Sequence, residues 1–183
     1  MSPMGFGRKL MLRPVKIIAI CLAMALLYAS LPVQAKTPAR QHLFHIERSK
    51  NANIVQYDAQ VGEDGKLFKK KPVVGYWIRH AEQGQVKELT WIQRTFAFGF
   101  DTKLDKSRES AELHMKADVG REINIVRNGD EFRATVMIDG ALSYFEKMYI
   151  DASRKGLSLT VRYVELHGED VQTGEVRYEK YVP

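Results

Sequence analysis

Cysteine is nearly missing from these 183 residues: one stands at Cys21, inside an apolar stretch near the N-terminus. If that stretch is removed, what remains has no disulfide, no thiolate nucleophile and no cysteine-ligated metal. Surplus charge is also scarce. Lys and Arg number 28 against 22 Asp and Glu, but Arg8, Lys9, Arg13 and Lys16 all precede Ala35 and no acidic residue does, leaving 24 against 22. A chain so evenly balanced lacks the basic face that nucleic acid demands, and no nucleic-acid partner is expected. There is no fixed-period repeat and no low-complexity tract, which excludes solenoids and propellers. No glycine-rich phosphate loop or metal-ligand set is present, so neither cofactor nor metal is expected.

What is present first is an address. Four basic residues lead into an uncharged run from Ile17 to Leu31, and Val33-Gln34-Ala35 places small residues at the minus-three and minus-one cleavage positions. Residues 1–35 therefore have the layout of a cleaved signal peptide, and the mature protein is expected in the periplasm or outside the cell. The alternative is an uncleaved inner-membrane anchor, because Ile17 to Ala35 nearly spans a bilayer core of about 30 Å. Pro32, the Val-x-Ala ending and the lack of stop-transfer charges directly after Leu31 favour cleavage. Cys21 follows Ile20 in mid-run, unlike a lipidation cysteine. Membrane contact is expected only through this leader.

After a polar spacer at residues 36–41, residues 42–183 read as a single β-rich domain. A domain near 150 residues buries about 68–70% of its unfolded surface, enough for a core to hold it without disulfides. Two Asx-Gly dipeptides, Asn128-Gly129 and Asp139-Gly140, sit between alternating runs and predict a three-stranded meander from Arg121 to Ile150. A loop at Asn128-Gly129 would set Ile125 opposite Phe132; a loop at Asp139-Gly140 would set Ala134 opposite Phe145 and Arg133 opposite Glu146. Asp151 to Gly156 reads as a longer turn, followed by strands around Val161 and Val176. Upstream, Leu43 to Glu47, Asn53 to Ala59, Val73 to Arg79, Gly99 to Leu104 and Ala111 to Ala117 are rich in β-branched, aromatic or alternating residues. One short α-helix is expected at Trp91 to Phe98. The capping box Thr90-Trp91-Ile92-Gln93 opens it, Gly99 closes it in a left-handed conformation, and Ile92 and Phe96 face a sheet. The fold class is mainly β: an antiparallel meander of about eight to ten strands forming a sandwich or barrel, since one helix cannot cover so large a sheet.

The run from His42 to Asp58, H-L-F-H-I-E-R-S-K-N-A-N-I-V-Q-Y-D, continues to P-V-V-G-Y-W-I from Pro72 to Ile78 and L-T-W-I-Q-R-T-F-A-F-G-F from Leu89 to Phe100. In these stretches the chain resembles the bacterial domain-of-unknown-function family numbered four-eight-three-three, whose members are of similar length and often exported. The resemblance implies a family and no activity.

Arg79-His80-Ala81-Glu82, at a strand end, has the wording of histidine phosphatases, in which an arginine binds phosphate and a histidine accepts it. That chemistry needs a parallel α/β sheet with the motif on its first strand, whereas extended segments precede it here and a meander follows. His42, His45 and Glu47 form one cluster with ligand chemistry, but in a regular strand His45 and Glu47 share a face and His42 takes the other. Arg48, Lys50, Asn51 and Asn53, between two extended runs, would present an anion or carbohydrate site, although Asn and Ser also build turns. Trp77, Arg79, Gln93 and Arg94 would join them in space. The expected function is a non-catalytic binding module of the cell envelope for a small molecule or an envelope partner. A structural envelope component is the alternative, as is a hydrolase or phosphatase using Arg79 and His80.

Overall fold

The computed structural model describes residues 37–48, 51–117, 120–155 and 158–183; the expected leader with Cys21, and Lys50, lie outside them. Alternating apolar and polar residues carry most of this span into strands. These are β1 (Ala39–Arg48), β2 (Asn51–Val61), β3 (Val73–Arg79), β4 (Gln85–Glu88), β5 (Phe100–Leu104), β6 (Ser110–Met115), β7 (Glu122–Asn128), β8 (Glu131–Ile138), β9 (Ala141–Lys155), β10 (Ser158–Asp170) and β11 (Val176–Tyr181). One helix, α1 (Trp91–Phe96), stands between β4 and β5.

All eleven strands belong to one sheet, in the order β4-β3-β2-β1-β9-β8-β7-β6-β5, with β10 on the other edge of β9 and β11 beyond β10. The 15 residues of β9 hold two partners along one edge: β8 from Thr135↔Tyr144 to Ile138↔Ala141, then β1, in parallel, from His45↔Lys147 to Arg48↔Ile150. The sheet curls into a half-barrel, the form that the sandwich-or-barrel expectation takes here. Its two arms bury their inner faces against each other, so the sheet serves as its own second layer. Phe44 and Ile46 of β1, Val55 and Tyr57 of β2, Leu113 of β6, Ile125 of β7 and Phe132 of β8 all enter one buried cluster. An aromatic row crosses it: Phe145 lies 4.7 Å from Phe44, Phe44 stacks on Tyr57 at 4.6 Å, and Tyr57 meets Phe100 edge-on at 5.6 Å. Outside the curl, Arg121 pins β11 by a two-pronged bond to Glu179 (3.1 and 2.5 Å), which also accepts from the Asp139 amide at 2.9 Å.

The β8–β9 hairpin has the expected loop. Asp139 (φ 48°) and Gly140 (φ 76°) both take positive φ between Ile138 and Ala141, as a type I′ turn requires. The β7–β8 loop differs: Asn128 pairs with Glu131, so the loop is Gly129-Asp130, and Ile125 faces Ala134 instead of Phe132. Only Gly129 has positive φ, at 61°. A shift of two residues keeps every side chain on its face, so alternation cannot tell these registers apart. Asp151–Lys155 extends β9 where a turn was expected, and β4 is a strand without a sequence signal.

The helix begins as its capping box predicts, with the Gln93 side chain accepting from the Thr90 amide at 2.8 Å and the Thr90 hydroxyl accepting from the Gln93 amide at 3.4 Å. Its orientation is a correction. No residue of α1 is buried; Ile92 and Phe96 point to solvent, because the opposite side is tied down through Arg94, whose Nε donates to the Leu89 carbonyl at 2.8 Å. Gly99 is not left-handed either. It is needed for closeness: a Cβ there would lie 1.5 Å from the Arg94 carbonyl oxygen.

Candidate functional site

The half-barrel stays open between its arms, and the opening is the site. The ladder between β3 and β4 stops at Tyr76↔Glu88, leaving Val73 to Gly75 beyond it. On the other edge of β3, the Gln60 amide donates to the Pro72 carbonyl at 2.7 Å, so 60↔72 is a hydrogen-bonded pair and, by alternation, so is Asp58↔Val74. Val73 and Gly75 therefore aim their N–H and C=O groups away from β2, toward the opening. Across it, Asp105 donates to Ser110 and Lys116 to the Gly99 carbonyl, so the odd residues of β5 bond β6 while Phe100 and Thr102 aim theirs outward.

Between these edges lies a cleft of about 760 Å³. Its floor is apolar: Val73, Phe98 and Phe100, with Val86 at the rim. Phe98 is buried, its carbonyl accepts from the Tyr57 hydroxyl at 2.9 Å, and Trp77 packs edge-on against its ring at 5.1 Å. Gly75 makes room for the Phe100 ring, which comes within 3.3 Å of where a Cβ would stand. The rim is cationic. Arg40, Lys70, Lys71, Arg94 and Lys116 line the cleft against Glu88 and Asp101. Arg94 is neutralised by Glu88 at 3.0 Å and Lys116 by Asp101 at 3.7 Å. Among the described residues, no carboxylate pairs with Arg40, Lys70 or Lys71, which leaves three cations over the apolar floor.

Arg40 sits over an aromatic ring whose hydroxyl serves a buried acid. Its guanidinium lies 5.2 Å from the centre of the Tyr76 ring. The Tyr76 hydroxyl donates to buried Asp58 at 2.5 Å, and Gln56 donates to the same carboxylate at 2.8 Å and to the Tyr76 oxygen at 2.9 Å. His42 Nδ1 stands 3.4 Å from Asp58. Burial works against the Asp58 charge, but the bonds from His42, Tyr76 and Gln56 outweigh it and hold its pKa below the usual carboxylate value. Burial and then the Asp58 carboxylate push Tyr76 up to about 12, so it remains a donor.

The structure splits the residues singled out from the sequence. Arg94 lines the cleft, and Trp77 and Arg48 flank Phe98, Arg48 at 5.9 Å from its ring centre. Gln93 is a helix cap. Arg79 forms an ion pair with Glu82, and Asn53 accepts from the Ala81 amide at 3.4 Å. The R-H-A-E motif thus makes the β3–β4 turn on a sheet without the parallel α/β framework of its phosphatase namesakes. Lys50 and the Asn51 side chain lie outside the described residues. Arg40, Lys70 and Lys71 were missed; the run Lys69-Lys70-Lys71-Pro72 ahead of a strand was the signal. The histidine cluster needs a correction. A bulge between His42 and Phe44 turns His42 to the side of His45, with ring centres 5.9 Å apart. Even so, no group of three or more His, Cys, Asp or Glu among the described residues is placed to hold a metal ion.

A family profile described as Domain of unknown function (DUF4833) matches residues 44–180, most of the chain. The chain belongs to the DUF4833 family. No curated protein and no solved structure matches it. The DUF4833 span takes in the cleft floor together with Lys70 and Lys71, while Arg40 and His42 precede it. Among the described residues no helix is long and apolar enough to cross a membrane.

Proposed function

We propose that this DUF4833 chain is an exported, non-catalytic binding protein of the cell envelope whose seam cleft takes an anionic amphiphile: an apolar tail on Phe98 and Phe100, and a carboxylate or phosphate head among Arg40, Lys70 and Lys71. The observation that carries this reading is the pairing of an aromatic floor with three cations that no carboxylate among the described residues neutralises. A cleft of about 760 Å³ falls within the roughly 300–1,000 Å³ of small-molecule sites, and its mixed polar and apolar lining suits a ligand with both a head and a tail. Backbone groups of Val73, Gly75, Phe100 and Thr102, aimed into the opening, add donors and acceptors for a polar head. Export rests on the leader alone.

Native mass spectrometry of the chain purified from the exported fraction tests both halves. The expected spectrum shows a mass beginning at Lys36 that takes up one dodecyl phosphate and no dodecyltrimethylammonium. An uncleaved mass would overturn the export reading. Equal uptake of both amphiphiles, or of neither, would overturn the anion reading.

A further inference from the structure

Both edges that bound the cleft carry unpaired backbone groups. Val73 and Gly75 of β3 aim their N–H and C=O into the opening, Phe100 and Thr102 of β5 do the same, and among the described residues none of the four has a backbone partner on that side. Six antiparallel ladders and one parallel ladder separate β3 from β5 along the sheet, so the two edges run in the same direction. They do not pair with each other. One extended strand laid between them and running opposite to both would form an antiparallel ladder on each side and close the curl. An acyl chain could fill the same floor, but it would cover these N–H and C=O groups and offer them nothing, at a cost in free energy that a peptide avoids.

We infer that the anionic amphiphile of this cleft is a segment of polypeptide in extended form, acidic and apolar at alternate residues; the inference rests on the cleft reading above and names its ligand class. The alternation follows from the edges. Gly75 faces Tyr57 across the ladder with β2, and Thr102 faces Leu113 across the ladder with β6. Both partners belong to the core, so Gly75 and Thr102, with Val73 and Phe100 two residues away, stand on the inner side of the sheet. Tyr76 and Asp101 alternate with them and stand on the outer side, where Arg40 lies over the Tyr76 ring. A guest strand in register with these edges sets its inward side chains on Phe98 and Phe100. Its outward carboxylates meet Arg40 and the exposed Lys70 and Lys71 that lead into β3, all three lining the same cleft. Val73–Gly75 and Phe100–Thr102 each supply about 10 Å of strand at about 3.4 Å per residue, which a peptide of seven residues overlaps in full. In strand addition of this kind the main-chain bonds give affinity and the alternate side chains give specificity.

The test is calorimetry and amide hydrogen exchange of the purified chain with three end-capped heptapeptides. In the first, glutamate alternates with valine, phenylalanine and valine; the second has lysine for each glutamate; the third is the first with its valine and phenylalanine nitrogens methylated, which keeps every side chain and removes the donors toward one edge. The expected result is one acidic peptide bound per chain, with exchange at the amides of Gly75, Phe100 and Thr102 slowed at least tenfold. The lysine peptide and the methylated peptide should each bind at least tenfold more weakly. Three results would overturn the inference: equal binding of the methylated peptide, unchanged exchange at those three amides, or no binding of the acidic peptide by a chain that takes up dodecyl phosphate. A chain that takes up neither ligand would overturn the cleft reading itself, so the two failures remain distinct.

Discussion

Replacing Tyr57 by Phe would remove a single oxygen from the centre of the domain. Tyr57 is fully buried, stacks on Phe44, and donates to the Phe98 carbonyl at 2.9 Å. Burial pushes its pKa well above the ordinary tyrosine value, so the hydroxyl keeps its proton. The variant retains the ring and its packing but leaves a carbonyl of the cleft floor without this donor. A buried hydrogen bond is worth about 1 kcal/mol net, and stranding one of its partners costs about 1–3 kcal/mol, so Tyr57→Phe should destabilise by about 2 kcal/mol. For a domain of this size that corresponds to a fall of roughly 4–8 °C in Tm. Urea unfolding should show a lower midpoint with an unchanged slope, because the exposed surface is the same. An unfolding free energy within about 0.3 kcal/mol of the parent would refute the reasoning, since the bond would then contribute nothing to holding Phe98.

Three further outcomes follow from the same geometry. Gly99→Ala must displace the Arg94 carbonyl, a backbone neighbour that cannot swing aside; overpacking of this kind costs about 1–3 kcal/mol, and thermal unfolding should show it together with faster amide exchange from Arg94 to Phe98. Lys70→Glu with Lys71→Glu reverses the exposed rim charge and should weaken dodecyl phosphate uptake at least tenfold by calorimetry while leaving Tm within about 2 °C, as surface substitutions usually do. The folded pKa of Asp58 is held below its unfolded value of about 3.9. Its contribution to stability is therefore complete above that unfolded value and is lost as pH falls through the folded one. Asp58→Asn should lower stability at neutral pH and flatten the decline below about pH 4, as read by urea midpoints.

Periodicity made much of the fold legible. The β-branched and aromatic run Val73 to Arg79 set β3 to the residue, Asp139-Gly140 set the type I′ turn, and Thr90 with Gln93 set the start of α1. Where two arrangements conserve the same alternation, the sequence is silent: the β7–β8 register moved by two residues without changing a face. The outward turn of Ile92 and Phe96 was hidden for a different reason. Amphipathicity says that a helix has an apolar side but not that Arg94 will claim the inward side by bonding the Leu89 carbonyl. A β-bulge likewise moved His42 to the face of His45, against simple strand alternation. The cleft was the least legible feature. Arg40 and Lys70 lie thirty residues apart and line one cleft because the curled sheet stops short of closing, whereas Arg48, Asn53 and Arg79 serve the turns and walls around it.

A heteronuclear NMR titration of the isotope-labelled chain with dodecyl phosphate, below its micelle concentration, tests the seam cleft most directly. The account predicts saturable shifts at the amides of Lys70, Lys71, Val73, Gly75 and Phe98 to Thr102, with the opposite end of the sheet around Asp139-Gly140 unchanged. Shifts that fall elsewhere, or none at all, would contradict it.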